Sequence, residues 1–212
     1  MRIGILIPSR DRPELLRTAI ASVRATSRSA DCLVYIDDDQ RDLYQSIEDE
    51  ESKKYDGRVI FHHGSQVGPV ASANAMAKEN PGYSWFGIMT DDMEMMTKGW
   101  DEWLLARSEL VVSPLHDVGL GTHVDVPFVR QEWVKRLGWF AYPGCYHNGW
   151  PTVIGVLGES LGSLVKAGQD EFFIRHTMKE SLNQEHTRED AKQLYYFFQA
   201  RFSAALSALR GA

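Results

Sequence analysis

Cysteine is scarce in this chain, with two residues in 212, Cys32 and Cys145. They stand in apolar or aromatic surroundings and lack the spacing of a metal knot, so two buried free thiols in a reducing compartment are expected. Long hydrophobic runs are absent as well. Ile3 to Ile7 is too short for a secretory core or a membrane span, and residues 150–165 are broken by Pro151, glycines and Glu159. No targeting segment or membrane span is therefore expected, and the cytoplasm is the expected compartment. A basic excess is also missing: 23 Lys and Arg face 29 Asp and Glu, a net charge of −6. Phosphate-gripping proteins are usually basic, so nucleic acid is not a favoured partner. Internal repeats, low-complexity tracts and linkers are not seen. With 43% hydrophobic residues, the chain can bury a core large enough to carry a ligand cleft.

The pattern that remains is strand alternating with helix. Ile3 to Ile7 reads as a strand buried on both faces. Pro8-Ser9-Arg10-Asp11-Arg12-Pro13 breaks it, with Asp11 suited to cap a helix and Pro13 to its first turn. Leu15, Leu16, Ala19, Ile20 and Val23 then recur at helical spacing. Leu33 to Ile36 is a second strand, ending in Asp37-Asp38-Asp39. Residues 40–56 form a charged helix with Leu43, Tyr44 and Ile47 on one face. Val59 to Phe61 is a third strand, followed by a loop with Gly64 and Gly68 and a small-residue helix from Val70 to Glu79. Trp85 to Met89 is a fourth strand and runs into Thr90-Asp91-Asp92. Such alternation implies a mostly parallel sheet with right-handed crossovers, whose ligands bind beyond the carboxyl ends of the strands. Three polar loops lie there: residues 9–12, 37–39 and 91–92.

The second half is less regular. Gly99-Trp100-Asp101 opens a short helix, and Leu110 to Val112 is a strand. Residues 124–129, interrupted by Pro127, are expected at a sheet edge. Residues 131–137 and 154–165 read as helices around an aromatic, glycine-rich loop at 139–150. Residues 188–209 form a helix with Leu194, Phe197, Phe198, Phe202, Leu206 and Leu209 along one side, suited to cover the sheet or to make a homo-oligomer contact.

Two adjacent carboxylates repel unless a positive charge sits beside them. Asp91-Asp92 at a strand end thus suits a hard divalent cation, Mg2+ or Mn2+, bridged to substrate phosphates; the same pair also suits a helix cap with a solvated acid. Asp37, Asp38 and Asp39 suit hydrogen bonds to a base or ribose, or the capping of the helix behind them. Arg10 and Arg12 suit phosphate oxygens or pairing with these acids.

In order along the chain, Ile-Gly-Ile-Leu-Ile-Pro-Ser-Arg-Asp-Arg-Pro, Val34 to Asp39, Gly68 with Ala73-Asn74-Ala75, and Met89-Thr90-Asp91-Asp92 resemble glycosyltransferase family 2. The resemblance covers roughly the first 105 residues. It implies a GT-A fold within a single α/β domain: a Rossmann-like nucleotide-sugar and metal half, about 1–105, and a variable acceptor half, about 106–212. It implies a nucleoside diphosphate sugar donor, a divalent metal and a hydroxyl acceptor. By position Asp92 is the metal ligand, with Asp91 beside it nearer the ribose or sugar. Asp37 to Asp39 meet the base or ribose; Pro8, Ser9, Arg10, Arg12, Gly68 and Asn74 line the donor site. A downstream histidine often completes the metal site, which points to His176, with His123 and His147 as further candidates. Inverting members carry an acid as general base; a few residues beyond His147 the chain reads Trp150-Pro151-Thr152 instead. His147 and Glu159 are the candidate catalytic side chains. The acceptor is a glycan or, in compact phage-type relatives, a modified DNA base. Two other readings are a nucleotide-sugar-binding protein without turnover and a sugar-phosphate nucleotidyltransferase; the latter usually carries a glycine-rich, lysine-containing loop after the first strand, unlike residues 8–12.

Overall fold

The computed structural model describes residues 1–117, 124, 126–146, 149–177 and 184–211, with side chains left aside at 184–187. Strand β1 (Ile3–Ser9) leads through residues 10–12 into helix α1 (Pro13–Thr26). Asp11 does not cap that helix: it sits at φ 60°, and Arg12 takes the cap position with no side-chain hydrogen bond. Pro13 does open the helix, where its missing N–H is no loss. Strand β2 (Ala30–Asp37), helix α2 (Arg41–Lys54), strand β3 (Val59–Gly64), helix α3 (Pro69–Glu79) and strand β4 (Trp85–Ile88) follow.

Period-two alternation divides the side chains of the central strands between two cores. Ile3, Ile5, Ile7, Val34 and Ile36 pack with Leu16, Ile20 and Val23 of α1 on one face. Leu6, Leu33, Tyr35 and Phe86 pack with Val70, Ala73 and Met76 of α3 on the other. Burial on both faces accounts for the nearly continuous apolar composition of β1 and β2.

Past Asp92 come a short strand β5 (Met93–Met95), helix α4 (Trp100–Leu105), and strands β6 (Val111–Ser113), β7 (Leu115–His116) and β8 (Phe128–Arg130). Helices α5 (Gln131–Leu137) and α6 (Trp150–Ser160) precede strands β9 (Leu164–Lys166) and β10 (Phe173–His176). The main sheet runs β3-β2-β1-β4-β8-β6-β9, and a smaller one runs β5-β10-β7. Pairing is parallel throughout the main sheet except on the two sides of β8, which is antiparallel to β4 and to β6.

Two expectations are corrected here. The strand near Pro127 is interior, because Pro127 lies just before it and leaves the ladder of Phe128 to Arg130 intact. The apolar stretch 154–165 is not one helix: α6 ends at Ser160, Gly162 turns the chain at φ 62°, and Leu164 and Val165 belong to β9. The C-terminal helix is likewise divided, into α7 (Gln184–Tyr196), a π-helical turn at Phe197–Arg201, and α8 (Phe202–Arg210). The extra residue of such a turn rotates the side chains beyond it. Phe197 at the start of the turn and Leu209 of α8 are buried, while Phe198 is exposed.

Candidate donor site

The carboxyl ends of β1, β2 and β4 lie side by side, because β1 pairs in parallel with both neighbours. Ser9, Asp37, Asp91 and Asp92 are brought together there, and all four are buried. Burying carboxylates is costly without partners. The Asp91 carboxylate accepts the Ser9 hydroxyl proton at 2.7 Å. Arg12 Nη2 lies 2.8 Å from Asp91 Oδ1, an ion pair without good hydrogen-bond alignment. The other guanidinium nitrogen, Nη1, donates to Asp92 Oδ2 at 3.2 Å, so one arginine bridges both acids. The Thr90 hydroxyl donates to Asp92 Oδ1 at 2.5 Å.

Burial pushes the Asp91 carboxyl up to about 6, and the charge of Asp92 adds to this; the Ser9 hydrogen bond and the Arg12 charge oppose it. The environment thus presses on Asp91 to shed charge or to gain a cation.

Tyr44, wholly buried on α2, supports this corner. Its oxygen accepts the Arg12 backbone N–H at 3.0 Å and lies 2.8 Å from Ser9 Oγ. Ser9 spends its only proton on Asp91, so Tyr44 is the donor to Ser9. The relay therefore runs Tyr44 to Ser9 to Asp91. In the sequence Tyr44 looks like one apolar position on a charged helix; only the fold shows where its hydroxyl ends.

Beside this corner Arg10 donates to Asp37 Oδ2 at 2.8 Å and makes a fork to Asp39 at 2.8 and 2.6 Å. These bonds raise the Arg10 pKa, Asp39 first, and the same fork lowers that of Asp39. Arg10 thereby orders the acidic turn. Asp38 is exposed and pairs with Arg41 at 2.7 Å. Pro8 lies in β1 opposite Tyr35, whose hydroxyl donates to the Ser65 carbonyl at 3.0 Å.

Gly68 stands at the start of α3 with φ 80°, and a Cβ there would lie 2.7 Å from the Tyr146 ring. The positive φ is what favours glycine here, since the exposed Tyr146 ring can move aside. The Asn74 amide donates to the Ala141 carbonyl at 2.8 Å and accepts the Phe140 and Ala141 N–H groups at 2.8 and 2.9 Å. It ties α3 to the aromatic loop.

His176 closes the site from the second half. Strand β10 pairs antiparallel with β5, setting His176 opposite Met93, and Thr177 donates its N–H to the Asp92 carbonyl at 2.7 Å. His176 Nε2 is 3.6 Å from Asp92 Oδ1. Asp92 and His176 are the residues that would hold a divalent ion, whose charge would offset that of the paired acids. Among the described residues no group of three or more His, Cys, Asp or Glu is gathered to hold an ion alone. The donor set fits Mg2+ or Mn2+, which take a few protein ligands and complete their shell with phosphate oxygens and water. Glu159 is not brought to this cluster: it stands exposed at the end of α6, 3.9 Å from Lys166. His147 and His123 lie outside the described residues.

In an α/β sheet ligands bind beyond the carboxyl ends of the strands, and the buried acids and Arg12 stand at that edge. The sequence profile of glycosyl transferase family 2 matches residues 4–110, half of the chain, and the chain belongs to that family. The fold is GT-A. Solved structures with the same fold include GalNAc-T7 with UDP, GalNAc and Mn2+ (TM-score 0.73, 12% identity, covering all of this chain and 50% of that one). The mannosyltransferase PcManGT from Pyrobaculum calidifontis, in complex with GDP-Man and Mn2+, gives a TM-score of 0.68 at 10% identity over 99% of this chain and 73% of that one. TarS from S. aureus gives 0.67 at 10% identity over 99% of this chain. The chain spans 42% of the TarS structure. A search of curated protein sequences finds no match.

Proposed function

We propose that this protein is a glycosyltransferase that moves a sugar from a nucleoside diphosphate sugar to a hydroxyl acceptor, with a divalent ion held at Asp92 and His176. The observation that carries this reading is the pair Asp91-Asp92, buried at the end of β4 and met by Ser9 and Arg12 from the end of β1 and the loop after it, and by His176 from β10. In this reading Asp91 accepts a hydrogen bond from the donor ribose or sugar, and Asp37 to Asp39, ordered by Arg10, meet the base. When bound, the ion supplies charge neutralisation for the departing diphosphate. The bond from the anomeric carbon to the diphosphate oxygen breaks, and a bond from that carbon to the acceptor oxygen forms. The acceptor proton leaves to a base still to be assigned. GalNAc-T7 and PcManGT are described with Mn2+ and with UDP or GDP-Man, which supports the same donor class and ion here.

The net charge of −6 favours a glycan acceptor over a modified DNA base. Two free buried cysteines suit a cytoplasmic setting. No helix among the described residues is long and apolar enough to cross a membrane. The second reading is a nucleotide-sugar-binding protein without turnover. Its support is the stretch Trp150-Pro151-Thr152, which lacks a carboxylate, together with the remote position of Glu159.

The test is a thermal-shift panel of nucleoside diphosphates and their sugars with and without Mn2+, followed by donor hydrolysis, on wild type and Asp92→Ala. Binding to the native state raises the melting temperature by mass action. A nucleotide that stabilises wild type only with Mn2+, and not the variant, is the expected result. No shift in any condition sinks the proposal; a shift without hydrolysis or transfer to any acceptor moves it to the second reading.

A further inference from the structure

Arg12 occupies an unusual place. Its guanidinium bridges the two acids at 2.8 and 3.2 Å, so a fixed cation already stands where the ion's charge is needed. Its backbone is held apart from this duty: the Arg12 N–H is donated to Tyr44, and α1 begins at the next residue. The side chain itself is 29% exposed, at the border of the site. A pinned backbone with a partly exposed side chain and a rigid five-donor fork allows the guanidinium to change partners without moving the loop.

We infer that Arg12 is an exchangeable counter-ion and a positioning residue for the donor diphosphate. The inference rests on the donor and ion reading above. Without an ion, Arg12 neutralises Asp91 and Asp92 and keeps the two carboxylates together. An ion arriving alone must share those acids with a guanidinium already in place, and like charges repel at such distances. An ion arriving with a nucleoside diphosphate brings the anion that Arg12 can turn to. Arginine suits this second partner, because its fork matches phosphate oxygens in two-point contact. The protein offers the ion few ligands, so the diphosphate must also complete its shell. Both effects act in the same direction: ion and donor bind together much more tightly than either binds singly. The site stays shut to free divalent ions and opens to the pair.

Mn2+ binding, followed by the EPR signal of the free ion, tests this directly, with and without UDP and GDP, on wild type, Arg12→Gln and Arg12→Lys. For wild type, one nucleotide should tighten Mn2+ binding about tenfold or more, an ordinary coupling between linked sites. Arg12→Gln should bind Mn2+ alone several-fold more tightly than wild type and lose most of the gain from nucleotide. Arg12→Lys keeps a cation but lacks the fork, so its affinity for Mn2+ alone should stay near wild type while the nucleotide gain shrinks. Arg12→Gln protein that melts cooperatively yet binds Mn2+ alone no better than wild type overturns the inference. Should the glutamine variant not fold, an undiminished nucleotide gain in Arg12→Lys overturns it. Wild type that binds Mn2+ in neither condition removes the donor reading itself, a different outcome from either of these.

Discussion

Tyr44 and Asp91 lie on α2 and at the end of β4, and both close on the same atom, the Ser9 hydroxyl oxygen, at 2.8 and 2.7 Å. Through it a helix from the outer layer of the fold sets the orientation of a buried acid at the carboxyl edge of the sheet. Tyr44→Phe keeps the buried ring and removes the donor to Ser9 and the acceptor for Arg12 N–H. An unpaired part-buried N–H costs about 1–3 kcal/mol, so the melting temperature should fall by several degrees. Nucleoside diphosphate affinity should fall several-fold as well. A double variant with Ser9→Ala should lose little more affinity than Ser9→Ala alone, since the two groups act in series. Additive losses would show that Tyr44 acts by some other route.

Asp91 supplies a pH dependence. Its folded carboxyl titrates near about 6, above an ordinary value of 3.8, so the fold binds its proton more tightly than the unfolded chain does. The stability this gives is fully present below about pH 4 and is lost as pH rises through about 6. In metal-free protein, Asp91→Asn should melt close to wild type at pH 4 and several degrees higher at pH 7.5. A difference that stays constant across this range would show that the carboxyl is not displaced.

Asn74 should behave as a structural residue. Its amide makes three hydrogen bonds to the backbone of residues 140 and 141. Asn74→Ala should destabilise the protein by about 2–4 kcal/mol, a fall in melting temperature on the order of 10 °C. Nucleotide affinity of the folded fraction should be unchanged, as isothermal titration well below the transition would report. A large loss of affinity with an unchanged melting temperature would return Asn74 to the donor site.

The cysteines should be silent. Burial pushes both the Cys32 and the Cys145 thiols up to about 12, and the thiolate is the reactive form. Native protein at pH 8 should show almost no reaction with an aromatic disulfide reagent, and both thiols should react once the protein is unfolded in guanidinium. Rapid labelling of native protein would contradict this burial.

Much of the first half was legible in the sequence, because β1, β2 and β4 are buried on both faces and end in polar residues where the chain leaves the sheet. Strand identity and the meeting of Ser9, Arg12, Asp91 and Asp92 follow from the same pattern. Tyr44 was hidden, since a periodic aromatic on a helix reads as packing, and its hydroxyl acquires a role only when Ser9 arrives from β1. Asn74 is a related case: an amide near a glycine-led helix resembles a ligand group, and its bonds to residues 140 and 141 emerge only when that loop is folded over it. The second half was harder because its strands are three or four residues long. Val165 shares its apolar run with α6, and only Gly162 separates them. The interior place of β8 depends on two antiparallel partners that no local pattern announces.

Gly68, at the lip of the donor half, receives the ring of Tyr146, whose own backbone N–H is held by the buried Asp190 of α7 at 2.7 Å. The last helices thus have a mechanical line to the front of α3 that bypasses the sheet altogether. Residues beyond 110 lie outside the stretch matched to the family. A change in α7 is therefore felt at the front of α3 through Tyr146, without passing through the strand end that carries Asp91 and Asp92.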